Sequence, residues 1–313
     1  MRVVALAGGV GGARLAFGLQ AAAGSDLTVV VNTADDLELH GLLVCPDLDT
    51  VMYTLAGLEH REQGWGLAGE TFAAAEMLGR YGEPTWFRLG DRDLATHIVR
   101  TARLKAGHAL GDVSIELARV LGVAATIQPM TDDPVRTEVR TDDGWLEFQE
   151  YFVHRRQEPA VHEVRFRGIE RAEAIPRVRG ELGFADAIVI APSNPIVSVG
   201  PILAVSGMAE LLAAARRGGT PIVAVSPIVG GKALKGPADR MLASLGHESS
   251  ALGVARIYAG QATAYVLDTV DAGLAPAIEE LGLRTLVTDT IMTDDAARIR
   301  LAREVLAFAG ELR

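Results

Sequence analysis

LAGGVGGARL, residues 6–15, decides the fold because it joins an apolar run to an apolar helical pattern through a bend with four glycines in five positions. Residues 3–7 before the bend are typical of a buried strand, and residues 12–23 after it are typical of a helix. A glycine-rich bend of this kind lets backbone N–H groups approach a phosphate at the positive end of a helix. The stretch therefore predicts a strand–turn–helix unit that binds phosphate, with a plain tight turn as the alternative.

Two familiar phosphate-binding templates fit this bend incompletely. Counted from Gly8, the nucleotide-triphosphatase loop requires Gly-Lys-Ser/Thr where this chain has Ala-Arg-Leu at residues 13–15. The dinucleotide fingerprint, counted from Gly9, is met at Gly11 but has Arg14 in place of its third glycine. We therefore expect the amides of the turn to bind a phosphate or diphosphate beside a cation, and the candidate residues are Gly9, Gly11, Gly12 and Arg14.

Apolar strand-like runs recur along the chain, and the helical patterns between them predict parallel strands joined by helices. The runs are almost continuously hydrophobic, as expected for strands that are buried on both faces. They predict an α/β fold with a Rossmann-like, doubly wound, mostly parallel sheet. The predicted strands are residues 3–7, 27–31, 187–191, 221–225, 264–267 and 285–287.

A different pattern occupies residues 128–170, where polar and apolar residues alternate in three segments. Such alternation is typical of antiparallel strands that have one solvated face. We therefore expect a small antiparallel β-rich insertion over residues 128–179, within a catalytic core formed by residues 1–127 and 180–313. The three segments are residues 135–141, 145–153 and 161–167.

Charge and composition narrow the class of function. A net charge of −10 disfavours binding to nucleic acid or to an anionic membrane, since both need clustered Lys and Arg. No apolar run reaches the ~18 residues that cross a bilayer, and glycines interrupt the N-terminal run before it resembles a secretion signal. The single cysteine, Cys45, suits a reducing compartment. We expect a cytoplasmic protein that acts on small molecules.

Four carboxylates lie within fifteen residues after the second predicted strand. Loops at the carboxyl ends of parallel strands meet at one edge of the sheet, which is where ligands bind in such folds. Carboxylates together with a substrate phosphate suit Mg²⁺, so these loops predict a magnesium site. Capping of the next helix by Asp49 and Thr50 is the alternative. The four carboxylates are Asp35, Asp36, Asp47 and Asp49.

The segment WFRLGDRDLATH, residues 86–97, carries a second group of charged side chains. We expect a strand before it, which would place Arg88 at an apolar strand end where an unpaired charge is costly. Arg88 is therefore a candidate binding residue. His97, on the helix that follows, is expected to pack against its own helix rather than to act in catalysis.

Two later loops offer further polar groups. Ser193 and Asn194, between prolines in APSNPIVSVGPIL, suit a base, ribose or phosphate, unless they form an Asx turn. Lys232 and Lys235, in SPIVGGKALKGPADRM, follow a second glycine pair, unless they are mobile surface lysines. The lysine loop and the glycine turn with Arg14 are two separate loops that combine glycines with Lys or Arg, which indicates a ligand with two phosphates or two phosphorylated ligands. Lys232 is the further candidate cation.

Five motifs stand in the chain in this order: GGVGGARL, CPDLDTVMYTL, WFRLGDRDLATH, APSNPIVSVGPIL and SPIVGGKALKGPADRM. Together they resemble the 2-phospho-L-lactate transferase family of deazaflavin coenzyme biosynthesis, from residue 1 to the last predicted helix. The resemblance implies a Mg²⁺-dependent enzyme that transfers 2-phospho-L-lactate or phosphoenolpyruvate from a GMP-linked diphosphate donor. The acceptor it implies is the terminal ribityl hydroxyl of 7,8-didemethyl-8-hydroxy-5-deazariboflavin (Fo). GMP would leave, and the product would be the phosphodiester precursor of coenzyme F420.

The resemblance also implies residue roles. Asp49 and Arg88 correspond to residues that contact the deazaflavin, and Asp35 and Asp36 stand where the family has carboxylates near the metal and diphosphate. Asp35 and Asp36 are thus the implied metal ligands, and Asp35, Asp36 or Asp49 would position the metal or assist deprotonation of the attacking hydroxyl. Ala34 replaces a usual glycine, which would reshape this loop if the position needs a positive φ. A homodimer is implied as well.

Two other functions remain as alternatives at this point. Nucleotide-sugar-binding regulators of the gluconeogenesis factor type share the glycine-rich start and a similar Ser-Asn-Pro loop. The PDLDT and LGDRDLATH segments favour the transferase over this regulator. A nicotinamide-dependent oxidoreductase is disfavoured by Arg14 at the third glycine position of the fingerprint.

Overall fold

The computed structural model describes residues 1–313 as strands and helices that alternate along most of the chain. Fourteen strands are present: β1 (Val3–Ala7), β2 (Leu27–Val31), β3 (Leu37–Leu39), β4 (Leu42–Val44), β5 (Thr126–Pro129), β6 (Arg136–Thr141), β7 (Gly144–Glu147), β8 (Glu163–Arg167), β9 (Ala187–Ile190), β10 (Ile222–Val225), β11 (Ile228–Val229), β12 (Lys232–Ala233), β13 (Ala264–Asp268) and β14 (Arg284–Thr288).

Twelve α-helices accompany the strands: α1 (Gly9–Ala23), α2 (Pro46–Leu55), α3 (Ala73–Arg80), α4 (Asp91–Lys105), α5 (Leu110–Val120), α6 (Pro176–Gly183), α7 (Val199–Ala204), α8 (Met208–Arg217), α9 (Ala238–Ser244), α10 (Ala251–Tyr258), α11 (Ala275–Glu279) and α12 (Asp295–Glu311). Short 3-10 turns cover Gly24–Asp26 and Thr269–Leu274, and a π-helical turn covers Glu150–His154. None of the helices combines the length and apolar character that crossing a membrane requires.

Seven strands form one all-parallel sheet in the order β14-β13-β10-β9-β1-β2-β5. β1 pairs with β2 on one side and with β9 on the other, so that Val3 is aligned with both Leu27 and Ala187. Chain order runs outward from β1 in both directions, which places the switch point of the doubly wound sheet between β1 and β9. The predicted α/β fold is confirmed, and the six predicted strands agree with the observed ones to within one residue at each end.

The side chains of β1 alternate between two apolar cores, one on each face of the sheet. Val3 and Ala5 pack in the core that includes side chains of α1, α2 and α12. Val4 and Leu6 pack in the core that includes side chains of α6, α8 and α10. Helices thus cover both faces, which explains why the strands are apolar at successive positions rather than at alternate ones.

The region of alternating residues contains the expected small sheet, with different limits. β6, β7 and β8 form an antiparallel sheet in the order β7-β6-β8. The predicted strand over residues 145–153 is wrong in its second half, because β7 ends at Glu147 and the π-helical turn follows. β5 pairs with β2 at the edge of the central sheet, so an insertion starting at residue 128 would divide β5. The domain boundaries at 127 and 180 stay a prediction.

The strand expected before Arg88 is wrong. Residues 81–90 form turns and irregular structure that lead into α4, and residues 81–85 are exposed. Gly82 has φ +86°, and Pro84 has no backbone N–H to donate to a neighbouring strand. Arg88 is consequently an exposed residue of a connecting segment, not a buried charge at a strand end.

Helix α1 approaches α12 closely at Gly18. A Cβ atom at Gly18 would lie 2.9 Å from the Cβ of Ala302 and closer still to the carbonyl group of Arg298. Interiors packed to crystal-like density leave no room to relieve such a contact. A glycine at this position is therefore what allows the two helices to pack side by side.

We expect Gly18→Ala to lower the free energy of unfolding by about 1–3 kcal/mol, because the added methyl group overpacks the α1–α12 contact. Gly310→Ala in α12 is the matched control, since its Cβ would meet nothing within 4 Å. The control should raise the free energy by about 0.5–1 kcal/mol, because alanine is the better helix former. Urea denaturation measures both. Equal effects of the two substitutions would show that this helix approach does not constrain the fold.

Candidate active site

A cavity of about 430 Å³ opens at the carboxyl-terminal edge of the central sheet. Its wall includes segments that follow five parallel strands: residues 8–11 after β1, Asp35 after β2, residues 192–194 after β9, Ser226 after β10 and Thr290 after β14. The cavity therefore spans the switch point between β1 and β9, which is the usual ligand position in this class of fold.

The structure brings most of the sequence-predicted site residues to this cavity. Those that line it are Gly9, Gly11, Arg14, Asp35, Asp49, Arg88, Ser193 and Asn194. Gly12, Asp36 and Lys232 do not line it, and each has a different structural reason.

The glycine turn is held against the loop after β9. The Ser193 Oγ accepts a hydrogen bond from the Gly8 amide at 3.1 Å and donates one to the Gly8 carbonyl oxygen at 2.8 Å. A Cβ at Gly12 would lie 2.5 Å from Ser193 Oγ, and a Cβ at Gly11 would overlap the carbonyl oxygen of Pro192. Gly12 therefore allows the turn to pack closely on Ser193, and it does not line the cavity. The geometry leaves the first turn of α1 facing the cavity, as an anion site requires.

Asn194 forms the Asx turn that the sequence left open as an alternative. Its Oδ1 accepts hydrogen bonds from the amides of Ile196 at 2.9 Å and Val197 at 3.4 Å. The side chain fixes the loop after β9 and also lines the cavity. Structural and ligand-binding roles are therefore compatible at this residue.

Asp35 and Asp47 form a buried acidic pair at the cavity wall. Burial raises the pKa of Asp35 well above its usual range, and the neighbouring Asp47 carboxylate adds to the rise. Burial likewise raises the pKa of Asp47 to about 6, although hydrogen bonds from Asn32 and from the Gly9 amide oppose the rise. One oxygen of Asp35, Oδ1, has no hydrogen-bond partner. A cation beside this pair would relieve both the repulsion and the unsatisfied oxygen.

Asp36 lies behind this wall instead of on it. It is 4% exposed, and its carboxylate accepts a hydrogen bond from the Cys45 thiol. Burial raises the pKa of Asp36 to about 7, although Arg136 favours the charged form. Ala34, next to the pair, is not among the residues with positive φ, so the loop forms without the glycine that the resemblance implies.

Asp49 belongs to a buried polar cluster between α2 and α4. Its Oδ2 accepts a hydrogen bond from Arg100 Nη1 at 3.0 Å, and its Oδ1 accepts one from Arg100 Nη2. His97 lies between Asp49 and Asp93, with Nδ1 3.6 Å from Asp49 Oδ2 and Nε2 3.4 Å from Asp93 Oδ1. The Tyr53 hydroxyl is 2.7 Å from Asp93 Oδ1. His97 is packed as predicted, but it packs in the cavity wall rather than away from the site.

Two cations from separate segments line the cavity. Arg88, in the segment before α4, stacks on the ring of Phe72, with the guanidinium carbon 3.9 Å from the ring centroid. Lys235 is exposed and lines the cavity, whereas Lys232, also exposed and paired with Val229 in the short strand β12, does not line it. The motif SPIVGGKALKGPADRM thus supplies a lysine to the cavity, but that lysine is Lys235 and not Lys232.

An aromatic wall completes the cavity and was not identified from the sequence. Phe148 and Phe152 stack with ring centroids 5.4 Å apart and planes at 11°. Both come from the region that follows β7, and they line the cavity together with Trp65 and Phe87. A flat aromatic ligand would find stacking partners here.

Two groups of side chains in the cavity wall have the chemistry to hold a metal ion. The ligand atoms of Asp49, Asp93 and His97 lie within 4.8 Å of one another, but the buried Arg100 guanidinium already neutralises Asp49 and would repel a second cation. Asp35 and Asp47 offer only oxygen atoms, one of them without a partner. Mg²⁺ prefers oxygen ligands to imidazole, so the second group fits it better.

Comparisons with known proteins support the family that the five sequence motifs indicate. The model of the family described as 2-phospho-L-lactate transferase CofD matches residues 3–292. A phosphoenolpyruvate transferase of Streptomyces griseus subsp. griseus is 48% identical over 320 residues and 100% of both chains. One of Mycobacterium avium is 42% identical over 99% of both chains. A solved structure of a upf0052 family protein from Bacillus halodurans has a TM-score of 0.64 and 15% identity, with 97% of this chain and 98% of that chain covered. This last likeness shows the fold alone.

The buried Asp36 predicts a pH dependence of stability. Its folded-state pKa of about 7 exceeds the ordinary pKa of an aspartate, about 3.9, so between these values the folded chain holds a proton that the unfolded chain has lost, and this group's contribution to stability falls as pH rises from 4 to 7. Asp36→Asn should remove this fall. Relative to the unsubstituted protein, the variant should gain about 2–3 kcal/mol more stability at pH 8 than at pH 5. Urea unfolding with EDTA at both pH values measures the difference, and an equal effect at both would contradict the assignment.

Proposed function

The chain belongs to the 2-phospho-L-lactate transferase CofD family, and on that premise we propose that it transfers a phosphoenolpyruvyl group to the terminal ribityl hydroxyl of Fo. The donor in this proposal is phosphoenolpyruvate linked to GMP through a diphosphate. The family makes the chain a phosphotransferase of coenzyme F420 biosynthesis. The choice of acid is supported by two relatives named phosphoenolpyruvate transferase, which are 48% and 42% identical to this chain.

The proposed reaction balances as a single displacement at phosphorus. The ribityl oxygen forms a bond to the phosphorus that carries the acid, and the bond from this phosphorus to the bridging oxygen breaks. GMP leaves with the bridging oxygen, and the hydroxyl proton passes to a carboxylate of the cavity. Because such transfers depend mainly on alignment and charge neutralisation, a protein nucleophile is not needed.

One observation carries the proposal: a single cavity unites the glycine turn, the acidic pair, Asp49 and Arg88. The amides of Gly8 and Gly9 are bonded to Ser193 and Asp47, so the amides of Val10 and Gly11, together with the Arg14 guanidinium, would bind the donor diphosphate. Lys235, which also lines the cavity, would add a further positive charge. Asp49, Arg88 and the aromatic wall would bind the acceptor, whose flat ring suits Phe148 and Phe152.

Asp35 and Asp47 are the residues that would hold Mg²⁺. Asp36 was the other expected ligand, but its carboxylate lies behind the wall and bonds to Cys45. When bound, Mg²⁺ neutralises charge on a transferring phosphate. The Gly9 amide and Asn32 orient Asp47 by hydrogen bonds, and Asp49 stays ion-paired with Arg100. We therefore assign Asp49 to orientation of the acceptor and not to proton removal.

Assembly as a homodimer is part of the proposal and rests on the resemblance. Two-fold dimers are the most frequent homo-oligomers of soluble enzymes. Light scattering with the purified chain would measure the mass in solution and decide between monomer and dimer.

We expect the protein, Fo, Mg²⁺ and the phosphoenolpyruvyl GMP conjugate to yield GMP and a phosphodiester whose mass equals Fo plus the phospho-acid, less water. The lactyl and glyceryl conjugates are the matched donors, and they should be used less well, because the pocket around the acid decides the choice. Mass spectrometry identifies the products. Absence of any Fo adduct with all three donors would contradict the proposed activity.

Asp49→Ala and Arg88→Ala should each lower kcat/KM for Fo by about 10²-fold or more, since each removes a charged contact to the acceptor. The circular dichroism of both variants should match that of the unsubstituted protein if the fold is intact. Unchanged turnover of both variants would show that neither residue contacts the acceptor.

Lys235→Met should raise the KM of the GMP-linked donor about tenfold, because one charged contact to the diphosphate is lost. Lys232→Met is the matched control from the same motif, and its KM should stay unchanged because its side chain lies outside the cavity. Steady-state kinetics with varied donor measures both values. A larger effect of the Lys232 substitution would restore Lys232 as the donor-binding lysine.

A further inference from the structure

Helices α2 and α4 contact each other through a group of polar side chains. Asp49 and Tyr53 are four residues apart in α2 and share a face of that helix. Asp93, His97 and Arg100 share one face of α4 by the same periodicity. Asp49 meets Arg100 and Tyr53 meets Asp93, so the two helices run antiparallel where they meet.

The contact between Asp49 and Arg100 is the strongest one in this face. Arg100 is 1% exposed and its guanidinium donates to both oxygens of Asp49. Burial alone would lower the pKa of Arg100, yet its pKa is raised because the Asp49 carboxylate stabilises the charged form. Loss of either partner would leave a buried charge uncompensated.

The remaining groups restrict the Asp49 carboxylate further. His97 Nδ1 lies 3.4 Å from Arg100 Nη1 and 3.6 Å from Asp49 Oδ2, so it fills the space beside the pair. Asp93, bonded to Tyr53, lies on the other side of the His97 ring. Rotation of the Asp49 side chain would therefore break contacts to two residues of α4.

We propose that Arg100 is a positioning residue of the transfer reaction, which fixes the Asp49 carboxylate at the cavity wall as a hydrogen-bond acceptor for the deazaflavin substrate. The proposal rests on the proposed function, in which Asp49 contacts Fo. Asp49 lines the cavity and Arg100 does not, so Arg100 acts through Asp49. Each carboxylate oxygen has a second lone pair, so Asp49 can accept a hydrogen bond from Fo while it is bonded to Arg100.

The first test compares the KM of Fo with the KM of the donor. A positioning role for Arg100 affects the KM of Fo alone, whereas a general loss of stability does not select one substrate. Arg100→Lys keeps the charge but loses the two-point contact, so the KM of Fo should rise about tenfold while the KM of the donor stays unchanged. Thr101→Val is the matched control. Thr101 is the buried neighbour of Arg100 in α4 and accepts a hydrogen bond from the Leu43 amide at 2.8 Å. The control should lower the unfolding temperature and leave both KM values unchanged.

A second pair of variants keeps the proposal testable if Arg100→Lys does not fold. Asp49→Asn keeps an amide oxygen that can accept a hydrogen bond from Arg100, and adding Arg100→Met to it leaves no unpaired carboxylate. Circular dichroism first establishes that both variants are folded. If Arg100 acts only through Asp49, the double variant should have the same kcat/KM for Fo as Asp49→Asn alone. A further loss of about tenfold or more in the double variant would overturn the proposal.

The unsubstituted protein is assayed first, which keeps the two hypotheses apart. If it forms no Fo adduct, the proposed function fails, and with it the premise of this inference. If it forms the adduct and Arg100→Lys has an unchanged KM for Fo, or raises the KM of both substrates equally, the positioning role alone is overturned.

Discussion

The backbone of the first turn of α1 lies against the loop that follows β9, and the site depends on this contact. Gly11 and Gly12 have no side chain where a Cβ would meet Pro192 or Ser193, and Ser193 bonds to both polar groups of the Gly8 backbone. β1 and β9 are the two strands at the switch point of the sheet. The contact therefore closes the floor of the cavity at the position where loops from both halves of the fold converge.

The cavity brings groups of opposite charge together at the glycine turn. The turn amides and Arg14 line the cavity with Asp47, whose carboxylate accepts a hydrogen bond from the Gly9 amide, and with the neighbouring Asp35. Without ligands this arrangement is costly, because the two carboxylates are held together away from water, which raises the pKa of both. A diphosphate with its cation would offset both kinds of charge at once.

The sequence predicted the sheet well because its strands are buried on both faces and read as apolar runs. It also predicted which loops meet, since parallel strands end at one edge. It could not predict which side chain of a motif faces the cavity. Lys235 and not Lys232 does so because β12 turns the earlier lysine outward, and Asp36 packs on Cys45. The i, i+4, i+7 spacing of Asp93, His97 and Arg100 was visible, but their partner on α2 depends on tertiary packing.

If donor and acceptor bind in one cavity at the switch point, a crystal structure of the protein with GMP and Fo should show both ligands there. We expect density for the GMP phosphate at the amides of Val10 and Gly11 and for the Fo ring against Phe148 and Phe152, with the ribityl chain of Fo directed toward the GMP phosphate. Density for the two ligands in separate sites, or away from the glycine turn and Asp49, would contradict it.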